Sequence, residues 1–393
     1  MHDPVVIVSF ARTPMGAFQG ALSPVKATDL GATAVRAAVD RAGIDPASVD
    51  QLLMGCVLPA GLGQAPARQA ALAAGLPDSV ATVTVNKMCG SGMQAAIMAH
   101  DMLLASSADL VVAGGMESMS NAPYLLQKMR SGARIGHQAV QDSMYLDGLE
   151  DAYDPGKLMG HFAEDSARDY QFSRAEQDDY ALRSLDRATA AIDSGAFDAE
   201  IVAVAVTSRK GTERIDRDEQ PGNARPDKIP TLKPAFSKDG TITAANASSI
   251  SDGAAALVMT RASIAAERGL PVAARVVAHA THAHAPALFT TAPVDAIRKL
   301  LAKTGWSIDD VALFEINEAF AVVAMIAARD LAIPSEKLNV NGGATALGHP
   351  IGASGARILA TLIAALKARG LKKGIAALCI GGGEATAFAV ELP

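Results

Sequence analysis

Cys89 stands in Val83-Thr84-Val85-Asn86-Lys87-Met88-Cys89-Gly90-Ser91-Gly92-Met93. Ahead of it a β-branched run alternates as a strand does. Behind it two glycines open onto Met93-Gln94-Ala95-Ala96-Ile97-Met98-Ala99-His100, an apolar pattern at helical spacing. The local reading is strand, tight turn, helix, with the thiol beside the first helical turn. Free N–H groups and the helix dipole favour an anion there, and a thiolate is a nucleophile. Read alone, Cys89 is equally a small buried hydrophobe. His349 lies in the small-residue loop Asn341-Gly342-Gly343-Ala344-Thr345-Ala346-Leu347-Gly348-His349-Pro350-Ile351-Gly352. An imidazole is the usual partner of a cysteine nucleophile, although a structural histidine bonded to backbone reads the same way. Cys379 precedes Ile380-Gly381-Gly382-Gly383, where backbone N–H groups could approach a ligand; alone it reads as packing at a strand end.

The elements that must position these groups follow from periodicity. Residues 5–9 and 52–55 read as strands, 28–42 as a helix closed by Gly43, and 65–74 as a helix ended by Gly75 and Pro77. Leu110-Val111-Val112-Ala113-Gly114-Gly115-Met116-Glu117 reads as a buried strand. Strands alternating with helices predict an α/β fold with a mostly parallel sheet covered on both faces. From 118 to 245 charge density rises. There Ser173-Arg174-Ala175-Glu176 is a capping box opening a helix that Gly195 closes, and 209–228 reads as surface loop.

The second half echoes the first. Gly43-Ile44-Asp45-Pro46 through Leu52 is matched by Gly305-Trp306-Ser307-Ile308 through Phe314, and Val83-Thr84-Val85-Asn86 by Leu338-Asn339-Val340-Asn341 with a helix after it at 354–368. The strand at 110–117 is matched by 377–384. These echoes predict two duplicated halves: residues 1–117 with a return at 246–270, and residues 271–393, with a cap at 118–245 inserted over the sheet. In such a duplication equivalent strand ends meet, which brings Cys89, residues 315–320, residues 348–350 and residues 379–383 together.

Composition narrows the function classes. At 393 residues the chain exceeds the roughly 250–300 at which one core stops growing, and 50% hydrophobic against 19% charged content suits large buried layers. A net charge of −6 argues against a nucleic-acid partner. Three distant cysteines make no disulfide framework and suit a reducing compartment. No basic region precedes the apolar residues after Pro4, and no apolar run reaches a membrane-spanning length, so a cytoplasmic protein with no membrane partner is expected. The chain has neither a GxxxxGK[ST] phosphate loop nor a GxGxxG fingerprint. His279-Ala280-Thr281-His282-Ala283-His284 has metal-ligand spacing, but no cysteine or acidic cluster accompanies it in sequence, so no metal site is expected. Cys56 reads as packing.

Taken together, Val85-Asn86-Lys87-Met88-Cys89-Gly90-Ser91-Gly92, Asn317-Glu318-Ala319-Phe320, Gly348-His349-Pro350-Ile351-Gly352 and Cys379-Ile380-Gly381-Gly382-Gly383 closely resemble the signature segments of the thiolase family. Asn246-Ala247-Ser248, Asp252-Gly253-Ala254-Ala255 and Gly114-Gly115-Met116-Glu117-Ser118 match as well, and the resemblance runs from about Val5 to Val390. It implies a thiolase-like fold, two βαβαβ-type halves packed as α-β-α-β-α layers with an inserted cap. It implies reversible Claisen condensation of two acetyl-CoA to acetoacetyl-CoA plus CoA, and thiolysis in reverse, through an acyl-Cys89 intermediate. His349 would take the Cys89 proton and later stabilise an enolate oxygen; Cys379 would be the second acid/base. Asn317 would hold a water that completes one oxyanion site with His349, and the N–H groups of Cys89 and Gly381 would form the other. Ser248 would contact the pantetheine, and Leu149, Leu158, Met159, Ala235, Phe236, Ala319 and Phe320 would line the acyl pocket. Coenzyme A thioesters enter as substrates with no permanently bound cofactor, and a homodimer, often doubled to a homotetramer, is implied. Arg209, Lys210 and Arg214 could meet the coenzyme's phosphates, or form a solvated loop.

One departure concerns chain length. Acetoacetyl-CoA-specific members carry His-Met-Gly where this chain has Leu158-Met159-Gly160, which leaves a more apolar tunnel and opens a degradative reading on longer 3-ketoacyl chains. Met116-Glu117-Ser118-Met119-Ser120-Asn121 and Asp147-Gly148-Leu149 look more like the acetyl-transferring branch. A ketoacyl-synthase-type condensing enzyme would not need Cys379. A non-catalytic acyl-CoA-binding protein is the reading from a different class, and it predicts no acyl transfer to Cys89.

Overall fold

The computed structural model describes residues 3–209 and 211–393. Val5–Arg12 (β1), Gln51–Gly55 (β2), Ala81–Val85 (β3), Leu110–Ser118 (β4) and Ser251–Arg261 (β5) make one half-sheet. Ala274–Ala283 (β6), Leu313–Ile316 (β7), Lys373–Ile380 (β8) and Glu384–Glu391 (β9) make the other. Across space the order is β3-β2-β4-β5-β1 and then β6-β9-β8-β7, with the short strand Gly16–Ala17 pairing on β5. The two half-sheets are joined where Val6 faces Arg275 and Ile7 faces Ala274. Each half runs through the same connectivity from that seam outward, as the internal echoes predict.

Two expectations are corrected. The sheet is mixed: β2 is parallel to β3 and β4, and β7 to β8, but every other pairing is antiparallel. The last strand of each half returns antiparallel beside its predecessor: β9 through the glycine turn, β5 after the long insertion. The echo of β3 is also incomplete. Leu338 makes only an isolated bridge to Phe314, because Asn339 turns left-handed (φ 46°) and spends its amide on both backbone groups of Ile316.

Ser91–Leu104 (α3) and Ser354–Ala368 (α8) form the middle layer. Both are apolar around most of their circumference, as a helix covered on two sides must be. Met93, Ala96 and Ile97 pack with Ile358, Leu359 and Leu362 and with residues of both half-sheets. Ala27–Ala42 (α1) and Pro66–Ala73 (α2) cover the outer face of the first half. Ala292–Thr304 (α6) and Ala321–Asp330 (α7) cover the second. Five layers result, α-β-α-β-α. Their spacing depends on missing side chains: a Cβ on Gly115 would lie 2.0 Å from the Gly352 carbonyl oxygen.

Residues between β4 and β5 include Met159–Asp169 (α4) and Arg174–Asp193 (α5). Ser173 and Glu176 form both halves of the expected capping box, and Gly195 follows at φ 72°. The stretch 209–228 is less of a surface loop than expected. Gly211–Ile215 pairs with Val204–Ser208, and Asp218 is buried, taking two hydrogen bonds from Arg12 at 2.6 and 2.8 Å. Glu200 accepts a third at 2.7 Å. A guanidinium with no solvent access needs such partners, and removing one would strand a buried charge. Among the described residues no helix is long and apolar enough to cross a membrane.

Candidate active site

β3 ends in a turn that its own side chains hold. Asn86 Oδ1 accepts from the Met88 N–H at 3.0 Å, Met88 adopts φ 47°, and Ser91 Oγ accepts from the Lys87 N–H while donating to the Met88 carbonyl. This sets Cys89 two residues ahead of α3. Gly90 lets the turn press on the end of β8, since a Cβ there would lie 2.4 Å from Ile380 Cδ1. That contact carries Cys89 to Cys379 and the glycine turn: the N–H groups of Gly381 and of Cys89 itself point at the Cys89 sulfur. Burial nonetheless pushes the Cys89 thiol up to about 11, the two N–H donors acting against it. Cys379 is buried, and burial together with the neighbouring Cys89 charge raises its thiol well above the ordinary range.

His349 arrives from the other half. Its N–H donates to the Ser249 carbonyl, and Gly348 before it sits at φ 106° with Ser251 where a side chain would go. Ser354 Oγ donates to the Pro350 carbonyl at 2.9 Å, so it accepts from His349 Nδ1 at 2.6 Å. The network therefore assigns the Nδ1–H tautomer and leaves the lone pair on Nε2. Burial, with Arg357 adding to it, lowers the imidazole to about 3, so it is neutral at pH 7. Asn317 follows β7, its N–H fixed to the Ala377 carbonyl. Its amide nitrogen is 3.4 and 3.5 Å from the two ring nitrogens of His349, and its Oδ1 is buried without a hydrogen bond. An amide equidistant from both nitrogens packs against the ring and bonds in line with neither.

Cys89, His349 and Gly381 open into one cavity of about 460 Å³. Ser248, Leu149, Leu158, Met159, Ala235, Phe236, Ala319 and Phe320 all line it. Cys379 and Asn317 lie just behind its wall, Cys379 packed with Ala319 and Phe320. Neither Arg209 nor Arg214 lines the cavity, and Lys210 is outside the described residues. Cys56 is buried as expected, with its thiol 3.6 Å from Glu117 Oε1.

Sequence reasoning missed several residues that hold this geometry. Phe289 lines the cavity from a loop whose pattern announces nothing, and Ile351, inside the His349 segment, was given no pocket role. Ser354 orients the imidazole; a polar residue five positions after His349, at the start of an apolar helix, was its only trace. Glu318 is buried beside Asn317 and accepts from Tyr180, Ser184, Asn339 and Thr345, tying the cap helix α5 to the site. Glu117 is fully buried and accepts from the N–H groups of Val57 (2.9 Å), Leu58 (3.1 Å) and Gly352 (2.9 Å), joining the end of β2 to the His349 loop. Burial pushes its carboxyl up to about 7 against those donors. We expect Glu117→Gln to cost about 2 kcal/mol, because an NH₂ must replace one accepting oxygen against an N–H. A raised carboxyl contributes stability in full below about pH 4.5, and that contribution is lost as pH rises through 7. Denaturant midpoints across that window should therefore show this slope in the parent protein and lack it in Glu117→Gln.

Comparison with known proteins agrees in every part of the chain. Residues 5–263 match the family model described as thiolase, N-terminal domain, and residues 270–392 that of thiolase, C-terminal domain. "Acetyl-CoA acetyltransferase 2" of Arabidopsis thaliana is 50% identical over 392 residues, covering 99% of this chain and 97% of its own. "Acetyl-CoA acetyltransferase" of Escherichia coli is 50% identical over 388 residues, covering 98% of each. The crystal structure of the Bacillus anthracis acetyl-CoA acetyltransferase superposes with a TM-score of 0.97 at 42% identity, over 100% of this chain and 99% of that one. Two cysteines and an asparagine from three strand ends and an imidazole from the loop before α8 are thus set in a frame shared along the whole length, and the chain belongs to the thiolase family.

Proposed function

We propose that this chain is an acetyl-CoA C-acetyltransferase, joining two acetyl-CoA into acetoacetyl-CoA and CoA, and reversing that by thiolysis. The observation that carries the reading is the neutral thiol–imidazole pair opening into one cavity, with two backbone N–H groups aimed at the sulfur. The names of relatives 50% identical over nearly their whole length support the acetyl substrate.

In the first half-reaction the Cys89 proton passes to His349 Nε2 as sulfur attacks the thioester carbonyl. The Cys89 and Gly381 N–H groups hold the oxyanion, and CoA leaves as the thiolate while His349 keeps the proton on Nε2. A neutral pair suits this order, because charge appears only when the carbonyl can accept it. In the second, Cys379 gives its proton to the released CoA thiolate and, now ionised, removes the α-proton of another acetyl-CoA. His349, still carrying on Nε2 the proton taken from Cys89, donates with a water held by Asn317 to the enolate oxygen; the enolate carbon attacks acetyl-Cys89, and the expelled thiolate takes its proton back from His349. Ser248 contacts the pantetheine, and the apolar residues beside it hold the acyl chain. These steps run on the protein's own groups, with coenzyme A thioesters as substrates and no permanently bound cofactor.

Mixing the protein with acetoacetyl-CoA, without free CoA, tests this directly. Intact-protein mass should rise by one acetyl group on Cys89; an unchanged mass would favour the non-catalytic acyl-CoA-binding reading. Leu158 supports a second reading, a relaxed acyl-chain length, since it faces the cavity from the start of α4. Leu158→His should raise the kcat/KM ratio of acetoacetyl-CoA to a longer 3-ketoacyl-CoA about tenfold. An unchanged ratio would remove the tunnel argument.

Two surfaces support a homodimer doubled to a homotetramer. β3 is a sheet edge just before Cys89, with Val83 42% exposed, and an unpaired edge is a template for a second copy. The hairpin of Tyr124–Leu126 and Val140–Asp142 exposes Tyr124, Leu126 and Val140 together. Three free cysteines support a reducing, cytoplasmic location.

A further inference from the structure

We propose that His282, His284 and Asp295 form a site for one divalent transition-metal ion of the zinc class, where β6 ends against α6. His282 lies in β6 and His284 one residue past its end, two positions apart, and both come together with Asp295 of α6. Asp295, in the first turn of α6, supplies the acidic ligand that the sequence did not place beside them. One ligand atom from each residue lies within 4.8 Å of the other two.

The bonding of each side chain leaves one lone pair free. Neither ring nitrogen of His282 makes a hydrogen bond, although the side chain is only 15% exposed. His284 Nε2 is 2.8 Å from the Leu288 carbonyl oxygen, which can only accept. The proton is therefore on Nε2 and the lone pair on Nδ1, the arrangement a metal-bound histidine takes when its second nitrogen donates to a carbonyl. Asp295 Oδ1 accepts from Arg298 at 3.1 Å, which leaves Oδ2. That oxygen is 3.5 Å from His282 Nε2, and the two are not hydrogen-bonded. Two ligands each bound at about 2.0–2.1 Å in a tetrahedron stand roughly 3.4 Å apart. The two imidazoles meet edge to face, with centroids 5.0 Å apart, so they converge without stacking.

Two imidazoles and one carboxylate select zinc, cobalt, nickel or copper over magnesium or calcium, which prefer all-oxygen sites. Three protein ligands leave a fourth position for water. Lys299, the nearby cation, is held on the Thr281 carbonyl at 3.2 Å. The neighbouring cluster of His100, Asp101 and His279 is a different case: Asp101 Oδ1 already lies 2.9 Å from a nitrogen of each histidine. The site also has a route to the active centre, because the His284 N–H donates to the Gly383 carbonyl at the far end of the turn carrying Gly381. An ion here would brace that turn from behind.

Co²⁺ titration of the full chain tests the proposal, in a Cys89→Ala/Cys379→Ala background so that no active-site thiolate can bind the probe. The expected result is one Co²⁺ per chain with the visible absorption of a four-coordinate nitrogen–oxygen site. His282→Gln and His284→Ala, checked for folding by melting curves, should each raise its Kd at least about a hundredfold. His100→Ala should leave the Kd unchanged. Absence of saturable binding would overturn the proposal. So would a Kd unaffected by both substitutions, or one weakened by His100→Ala instead.

Discussion

Cys89→Ala should lower turnover by at least about 10⁴-fold and abolish the acetyl adduct seen by intact mass. The substitution removes one atom from a partly exposed turn, so the fold should not change, and unaltered melting would establish that. His349, Asn317 and the two N–H groups all remain in that variant. They have nothing to attack with: the imidazole is neutral and buried, and no other nucleophile faces the N–H pair. Cys379 is the one competitor, since it lies close enough to feel the charge of Cys89. An acetyl adduct persisting in Cys89→Ala and lost on further replacement of Cys379 would exchange the roles assigned to the two thiols.

Cys379→Ala should separate the two halves of the reaction. Acetylation of Cys89 by acetyl-CoA should survive within about tenfold, because its base, its N–H donors and its cavity are untouched. Condensation should fall about 10³- to 10⁴-fold, since no other base reaches the α-carbon. Burial holds Cys379 well above the ordinary thiol range, so its ionised form is scarce until the reaction supplies a proton acceptor. Exchange of the α-protons of acetyl-CoA with solvent deuterium gives a clean readout: it should vanish in Cys379→Ala and persist in Leu158→His. If acetylation and exchange fell together, Cys379 would be packing the wall of the site and not moving a proton.

Helix α8 was readable to the residue, 354–368, and so were the capping box at Ser173 and the turn around Cys89. Each depends on neighbours within one or two turns of chain, where hydrophobic period and capping chemistry act. The duplication was readable too, because each half repeats its own local pattern. Sheet direction was not, since β9 returns antiparallel through three glycines that favour a tight turn without stating which strand it joins.

The eight cavity residues and the four groups proposed to react could be named because short stretches carry them and the family resemblance orders them. Their support could not. Glu117 reaches Gly352 across 235 positions, Glu318 reaches Tyr180 across 138, and Asp295 meets His282 from a separate helix. A hydrogen bond or an ion site depends on distance in space, and sequence spacing reports that distance only within one element. The chain therefore named the residues proposed for the chemistry. Only packing of the two halves decided that Nε2 would carry the lone pair of His349, that its imidazole and Cys89 would both be neutral, and that two N–H groups would point at the sulfur. Those states come from burial and from partners contributed by distant strands, neither of which exists until the layers close.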